Sequence, residues 1–181
     1  MRSVRCLVLA AMVGLTLAPT GARAAESYTI RTNNGLVARI GAFAPFSKDG
    51  SLGAAMRVFG TPSLKQTSWG CVANWKRLRL TINLVNYGVA AAENKCRPSV
   101  GLAQSFTVKS SRFRTWEGLR PGAASSTIPE RHREAVFRQG AWWLRTAISP
   151  FGEGEEYAVV SAVVRNGRVT ALKGWIGAAG E

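Results

Sequence analysis

Residues 157–176, YAVVSAVVRNGRVTALKGWI, constrain this chain more than any other stretch. Two runs rich in β-branched residues flank Asn166-Gly167. A two-residue type I′ turn needs φ > 0 at both central positions, and Asn-Gly meets that need well. The turn predicts a hairpin with Arg165 opposite Arg168, Val164 opposite Val169, Ala162 opposite Ala171 and Ala158 opposite Trp175. One face of that hairpin is almost wholly apolar: Ala158, Val160, Ala162 and Val164 with Val169, Ala171 and Trp175. A lone hairpin is marginal in water, so this face requires a partner layer elsewhere in the chain.

The start of the chain reads as a leader. Arg2 and Arg5 give a basic n-region, residues 6–17 an apolar h-region, and Ala22-Arg23-Ala24 an A-x-A cleavage site. The apolar run is too short to span a bilayer, and no other stretch reaches about 18 apolar residues. Cys6 sits too early and lacks the small-residue context of a lipid-modified cysteine. The expectation is a signal peptide over residues 1–24 and a mature chain from Ala25, secreted or held at the cell envelope. That chain of 157 residues suffices for one domain with a core of its own.

Export decides the cysteine reading. Cys71 and Cys96 survive processing, and an even pair in an exported chain predicts a disulfide. Their separation does not fit C-x-x-C, and one histidine is too few for a zinc site. Export also sets the meaning of charge. Three of the 24 basic residues leave with the leader, so 21 remain against 10 acidic ones, a net +11. Such a surplus favours anionic partners such as envelope polymers, lipid head groups or an acidic protein face. Export argues against nucleic acid. Arginine outnumbers lysine 18 to 6, so composition alone is the competing explanation.

Along the mature chain, residues 26–42 alternate loosely around Asn33-Asn34-Gly35 and predict two short strands with a turn between. Ser51 as N-cap, a stripe of Leu52, Ala55, Met56 and Phe59, and the Gly60 and Pro62 stop predict a helix. Leu80, Ile82 and Leu84 alternate with polar neighbours as a half-buried strand. Residues 71–75 are placed to pair with it around Lys76-Arg77-Leu78. Residues 86–98 read as a loop pinned by the disulfide, and residues 106–108 as a short strand. Ser125-Ser126-Thr127, Pro129 at N1, Glu130, Arg138 and Gly140 predict a second helix. A strand over residues 141–148, a Gly/Glu loop and the closing hairpin follow. The fold class expected is α+β: an antiparallel sheet with short helices on one face, built as a tandem duplication of a helix-then-strands unit. The halves are residues 25–110 and 111–181, packed as one domain.

Gly118-Leu-Arg-x-Gly122, Trp142-Trp143-Leu144, Arg165-Asn-Gly-Arg-Val169 and Trp175-Ile-Gly-Ala-Ala-Gly180 resemble the second half of a group of small exported bacterial proteins of unassigned function. The helix-Phe59-Gly60-x-Pro62 segment extends the likeness into the first half. The order of elements is similar to the β-lactamase inhibitory protein and the small outer-membrane assembly lipoproteins. That resemblance implies a helical pair against an antiparallel sheet and protein binding without catalysis. The chain differs from them at Pro129, in lacking a lipid-anchoring cysteine, and in lacking the inhibitor's acidic contact residues.

Residues for chemistry are few. His132 is the single histidine and Asp49 the single aspartate, and no G-x-S-x-G is present. Flanked by Arg131 and Arg133, His132 reads as a surface residue. The carboxylates Glu117, Glu130, Glu134, Glu153, Glu155 and Glu156 are the acid/base candidates, the last three in a solvated loop. Arg112-Phe113-Arg114-Thr115-Trp116 is the one basic-aromatic interleave. It fits a ring-in, arginine-out strand, and it also fits a grip on an anionic polymer. The reading favoured is a secreted, non-catalytic protein that binds another protein or an anionic envelope polymer through a basic and aromatic sheet face. Its residues are Arg79, Arg112, Arg114, Trp116, Trp142, Arg165 and Arg168, with no cofactor or metal. The alternative is a secreted glycan- or ester-cleaving hydrolase using Glu117 or His132.

Overall fold

The computed structural model describes residues 27–45, 50–86, 90, 93–99, 101–148 and 154–176. Residues 1–24, read from the sequence as a leader, lie outside them, as do Asp49 and Glu153. Eleven strands and two helices follow in order. They are β1 (Tyr28–Asn33), β2 (Leu36–Ile40), α1 (Leu52–Phe59), β3 (Ser63–Gln66), β4 (Gly70–Trp75), β5 (Leu80–Val85), β6 (Leu102–Val108), β7 (Phe113–Thr115), α2 (Thr127–Arg131), β8 (Val136–Arg138), β9 (Ala141–Ile148), β10 (Glu156–Arg165) and β11 (Arg168–Trp175). A single 3₁₀ turn, Lys76–Leu78, joins β4 to β5.

Eight strands form one antiparallel sheet in the order β3-β4-β5-β6-β11-β10-β9-β8. Two four-strand meanders meet there, β6 against β11, and a helix precedes each meander in the chain. A smaller sheet, β2-β1-β7, pairs β1 with β2 antiparallel and with β7 parallel. The architecture is therefore α+β, mostly antiparallel sheet with two short helices.

Register separates the two faces of the large sheet. Ala73, Ile82, Phe106, Gly174 and Val160 lie in one row across β4, β5, β6, β11 and β10, and all are buried. This is the core face. Gly174 is required there, because a Cβ at that position would sit 2.1 Å from Cε1 of Phe106. The helix α1 covers this side. Ser51 caps it by accepting the Ala54 N–H at 3.3 Å, and Gly60 ends it at φ 82°. Its last residue, Phe59, packs edge-on against Tyr28, Phe43 and Trp75. That one ring ties the helix to both sheets, so Phe59→Ala would cost about 3–5 kcal/mol. The Trp75 indole N–H donates to the Gly60 carbonyl at 2.7 Å and fixes the chain after the helix. Cys71 and Cys96 are bridged, with Cα atoms 5.1 Å apart.

The opposite face is open. Asn74, Thr81, Thr107, Lys173 and Ser161 form a row across β4, β5, β6, β11 and β10. Asn74 and Lys173 are exposed and the other three half-buried.

Three expectations need correction. The Asn166-Gly167 hairpin forms with Arg165 opposite Arg168 and Val164 opposite Val169, but a bulge at Thr170 shifts the rest. Ala171 faces Val163, Leu172 faces Ala162 and Gly174 faces Val160, so Trp175 turns away from the core. A bulge places two residues against one and reverses the alternation beyond it. The second helix is one short turn, with Pro129 at its third residue rather than its first. Residues 136–138 form β8 instead, because Gln139 (φ 51°) and Gly140 (φ 76°) make a two-residue hairpin turn into β9. Gly140 is a hairpin corner, not a helix stop. Lastly, β6 runs seven residues, from Leu102, where three were expected.

Candidate functional site

The strand β7 alternates as its sequence requires. Phe113 and Thr115 are buried while Arg112, Arg114 and Trp116 point outward. Trp116 is 64 % exposed, a large ring left in water. Parallel pairing sets Thr29 of β1 beside Arg114 and Ile30 beside Thr115. The next outward residue of β1 is Arg31, whose guanidinium carbon lies 4.2 Å from the Trp116 ring centroid. Across β1 and β2, Arg31 faces Arg39 directly. Four exposed arginines and one exposed indole thus share the outward face of the small sheet. None of Arg31, Arg39, Arg112 and Arg114 makes an ion pair with a described carboxylate.

Two like charges opposite one another in a sheet are destabilising by some tenths of a kcal/mol. The Trp116 face offsets part of this through cation–π attraction, worth about 0.5–1 kcal/mol at an exposed site. Planar guanidiniums present paired N–H donors that match phosphate, sulfate and carboxylate oxygens. An anion between Arg31 and Arg39 removes the repulsion and gains charge-assisted hydrogen bonds.

Of the residues read from the sequence, Arg112, Arg114 and Trp116 come together here. Arg31 and Arg39 were not singled out. Each is an ordinary outward arginine of a half-buried strand, and only the pairing of β1 with β2 and β7 makes them neighbours. The other candidates sit elsewhere. Arg79 ends the 3₁₀ turn at the end of the large sheet in a left-handed conformation, φ 51°. Arg165 and Arg168 hold the β10–β11 tip, where Arg168 donates to the Gly122 carbonyl at 3.0 Å. Trp142 is half-buried and packs edge-on against Phe137, while Trp143 is buried beneath Arg138.

His132 is not a surface residue. It is 7 % exposed, at the end of α2, and its Nε2 lies 2.9 Å from Oγ1 of the buried Thr115. Thr115 Oγ1 also accepts the Leu119 N–H at 3.1 Å. Glu117 reaches the same Nε2 at 3.7 Å. Burial lowers the imidazole's affinity for a proton, Glu117 opposes this, and Arg145 and Arg131 add to the lowering. A nucleophile–base–acid relay uses both ring nitrogens, one toward each partner. Here hydroxyl and carboxylate compete for one nitrogen, and the hydroxyl is buried and bonded to backbone. This geometry latches α2 to the 115–119 turn. Glu134 is bound to Arg145 at 2.9 Å, and both line a shallow cleft with His132 and Glu117. Among the described residues, no group of three or more His, Cys, Asp or Glu gathers as a metal site. Among them, too, no helix is long and apolar enough to cross a membrane.

No protein-family model, curated protein or solved structure matches the chain.

Proposed function

We propose that this is an exported, non-catalytic binding protein that docks on an anionic envelope polymer through the outward face of β1, β2 and β7. The observation that carries the reading is Arg31 opposite Arg39, stacked on exposed Trp116 and lacking a described carboxylate partner. A fold has no packing reason to align like charges, whereas an anion bound between them gives one. The A-x-A leader supports export. The repeated order of a helix followed by four antiparallel strands supports a tandem duplication, like the order in the β-lactamase inhibitory protein.

The test uses polyphosphate as the polyanion. Binding is measured as salt rises, for the mature chain and for Arg31→Ser, Arg39→Ser and Arg114→Ser. Affinity falls linearly on a log–log plot against salt, and each variant flattens the slope by about one. Binding indifferent to salt, or equal in wild type and variants, would remove the proposal.

A further inference from the structure

A large aromatic residue stands uncovered near the middle of the large sheet. Trp175 on β11 is 43 % exposed and points to the open face, paired with Ser105, which in turn pairs with Asn83. One step along the strands runs the row Thr81, Thr107, Lys173 and Ser161. Between the two rows lies a groove of about 320 Å³ lined by Ser105, Thr107, Ala158, Ser161, Lys173 and Trp175. We propose that this groove is a second binding site, for a polysaccharide strand that carries carboxylates, separate from the arginine face of the small sheet.

Three features select that ligand. The groove presents the hydroxyls of Ser105, Thr107 and Ser161, which match sugar hydroxyls and ring oxygens in both donor and acceptor roles. Asn83 Nδ2 donates to Ser105 Oγ at 2.9 Å, which orients that hydroxyl. Trp175 gives a flat apolar surface of the size of a pyranose face, flanked by polar groups. Lys173 is exposed at the centre, and the two rows hold no carboxylate, so the charge complement is an acid on the ligand. The rows run across the strands, where neighbours are about 4.8 Å apart. An extended β-linked chain advances by roughly that distance per sugar, so successive sugars meet successive strands. A protein partner fits less well, because protein interfaces centre on clustered aromatic and aliphatic anchors. Here one exposed ring stands among hydroxyls, since Trp143, next in the row beyond Ser161, is buried and adds no anchor at the surface.

The experiment is calorimetric titration with hyaluronan oligosaccharides, which carry carboxylates and no phosphate. It compares the mature chain, Trp175→Ala, Lys173→Gln and the Arg31→Ser/Arg114→Ser double variant. Trp175→Ala and Lys173→Gln each weaken binding by about tenfold, with melting temperature preserved, while the double variant binds as wild type. Neutral chitin oligosaccharides bind more weakly than hyaluronan. Absence of hyaluronan binding overturns the proposal. So does binding that survives Trp175→Ala but is lost in the arginine variant, since the affinity then belongs to the small sheet. The polyphosphate result stands independently in either case.

Discussion

Arg31 is held between two neighbours of opposite effect, the Trp116 ring 4.2 Å beneath its guanidinium and Arg39 directly across the β1–β2 pair. The strand tolerates repulsion on one side and gains attraction on the other. Replacing Arg39 by Thr removes the repulsion and supplies a β-branched residue. Stability should rise by a few tenths to about 1 kcal/mol in urea denaturation. Polyphosphate affinity should fall in the same variant. A gain in one property with a loss in the other is the mark of a charge kept for binding. If stability falls as well, Arg39 supports the fold and the argument from repulsion is lost.

Gly174 is where the core face admits no side chain. A Cβ there would meet the Phe106 ring at 2.1 Å, and Phe106 is fully buried between β5 and β11. Gly174→Ala should destabilise by about 1–3 kcal/mol through overpacking. The double variant Gly174→Ala/Phe106→Leu should recover part of the loss, because the smaller side chain vacates the collision. Thermal and chemical denaturation of the three proteins give the coupling. An unchanged midpoint for Gly174→Ala would mean that the ring moves aside freely.

Local chemistry made some elements legible and hid others. Asn34-Gly35, Ser51 with Gly60, and Asn166-Gly167 are turns and caps whose residues are chosen by φ or by a donor, and each forms. The disulfide joins the two cysteines that the sequence reading paired. The Thr170 bulge carries no such signal: Thr170 Oγ1 donates to the Val163 carbonyl at 3.1 Å, and threonine is common in strands. Missing that bulge sent Trp175 to the wrong face. Gly140 was ambiguous because a glycine at positive φ serves a helix stop and a hairpin corner equally. The arginine face was half-legible. Arg112, Arg114 and Trp116 are adjacent in sequence, whereas Arg31 and Arg39 join them only through a parallel pairing that closes over more than 70 residues.

His132 gives the protein a defined response to acid. Burial holds its folded-state proton affinity below the ordinary value of 6.5, with Glu117 opposing and Arg145 and Arg131 adding to the effect. The unfolded chain therefore takes up the proton first as pH falls. Stability from this group is full above about 6.5, declines as pH drops below it, and levels off below the depressed folded-state value. Melting temperature should fall over that window in wild type and stay flatter in His132→Gln, which keeps a polar partner for Thr115. His132 is the single histidine, so its ring proton shifts report the titration without overlap. A folded-state midpoint above 6.5 would show that Glu117 outweighs burial.

The bridge between Cys71 and Cys96 joins β4 to the 93–99 segment, where the buried Lys95 amine donates to the Ser68 carbonyl. The sequence separation is 25. Loop closure of that length is worth about 3–4 kcal/mol on the chain-entropy model. Cys71→Ala/Cys96→Ala should lose roughly that much in denaturant, with β4–β5 pairing retained because six residue pairs hold it independently. Loss of all strand signal in the variant would make the bridge a condition of folding rather than a clamp on the finished structure.

At the β10–β11 tip, two arginines that look equivalent in sequence differ in their surroundings. Arg165 is exposed, with no described partner, while Arg168 donates to the Gly122 carbonyl at 3.0 Å. Backbone bonds add to that contact. Gly122 N–H reaches the Val169 carbonyl at 2.7 Å, Val169 N–H the Ala123 carbonyl at 2.9 Å, and Ser125 N–H the Gly167 carbonyl at 2.8 Å. The 122–125 segment therefore runs along β11 and is pinned by Arg168. Either substitution relieves the direct Arg165–Arg168 repulsion. Arg165→Ser should then be neutral or stabilising, within about 0.5 kcal/mol. Arg168→Ser loses a charge-assisted hydrogen bond as well, and should destabilise by about 0.5–1.5 kcal/mol after that relief. Amide exchange should quicken at Ser125 and Val169 in Arg168→Ser alone. The double variant should keep its polyphosphate affinity, because the arginines proposed to bind the anion lie on the small sheet. Equal stability changes for the two single variants would mean that the Gly122 contact contributes nothing, and a lost affinity in the double variant would move the anion site to the tip.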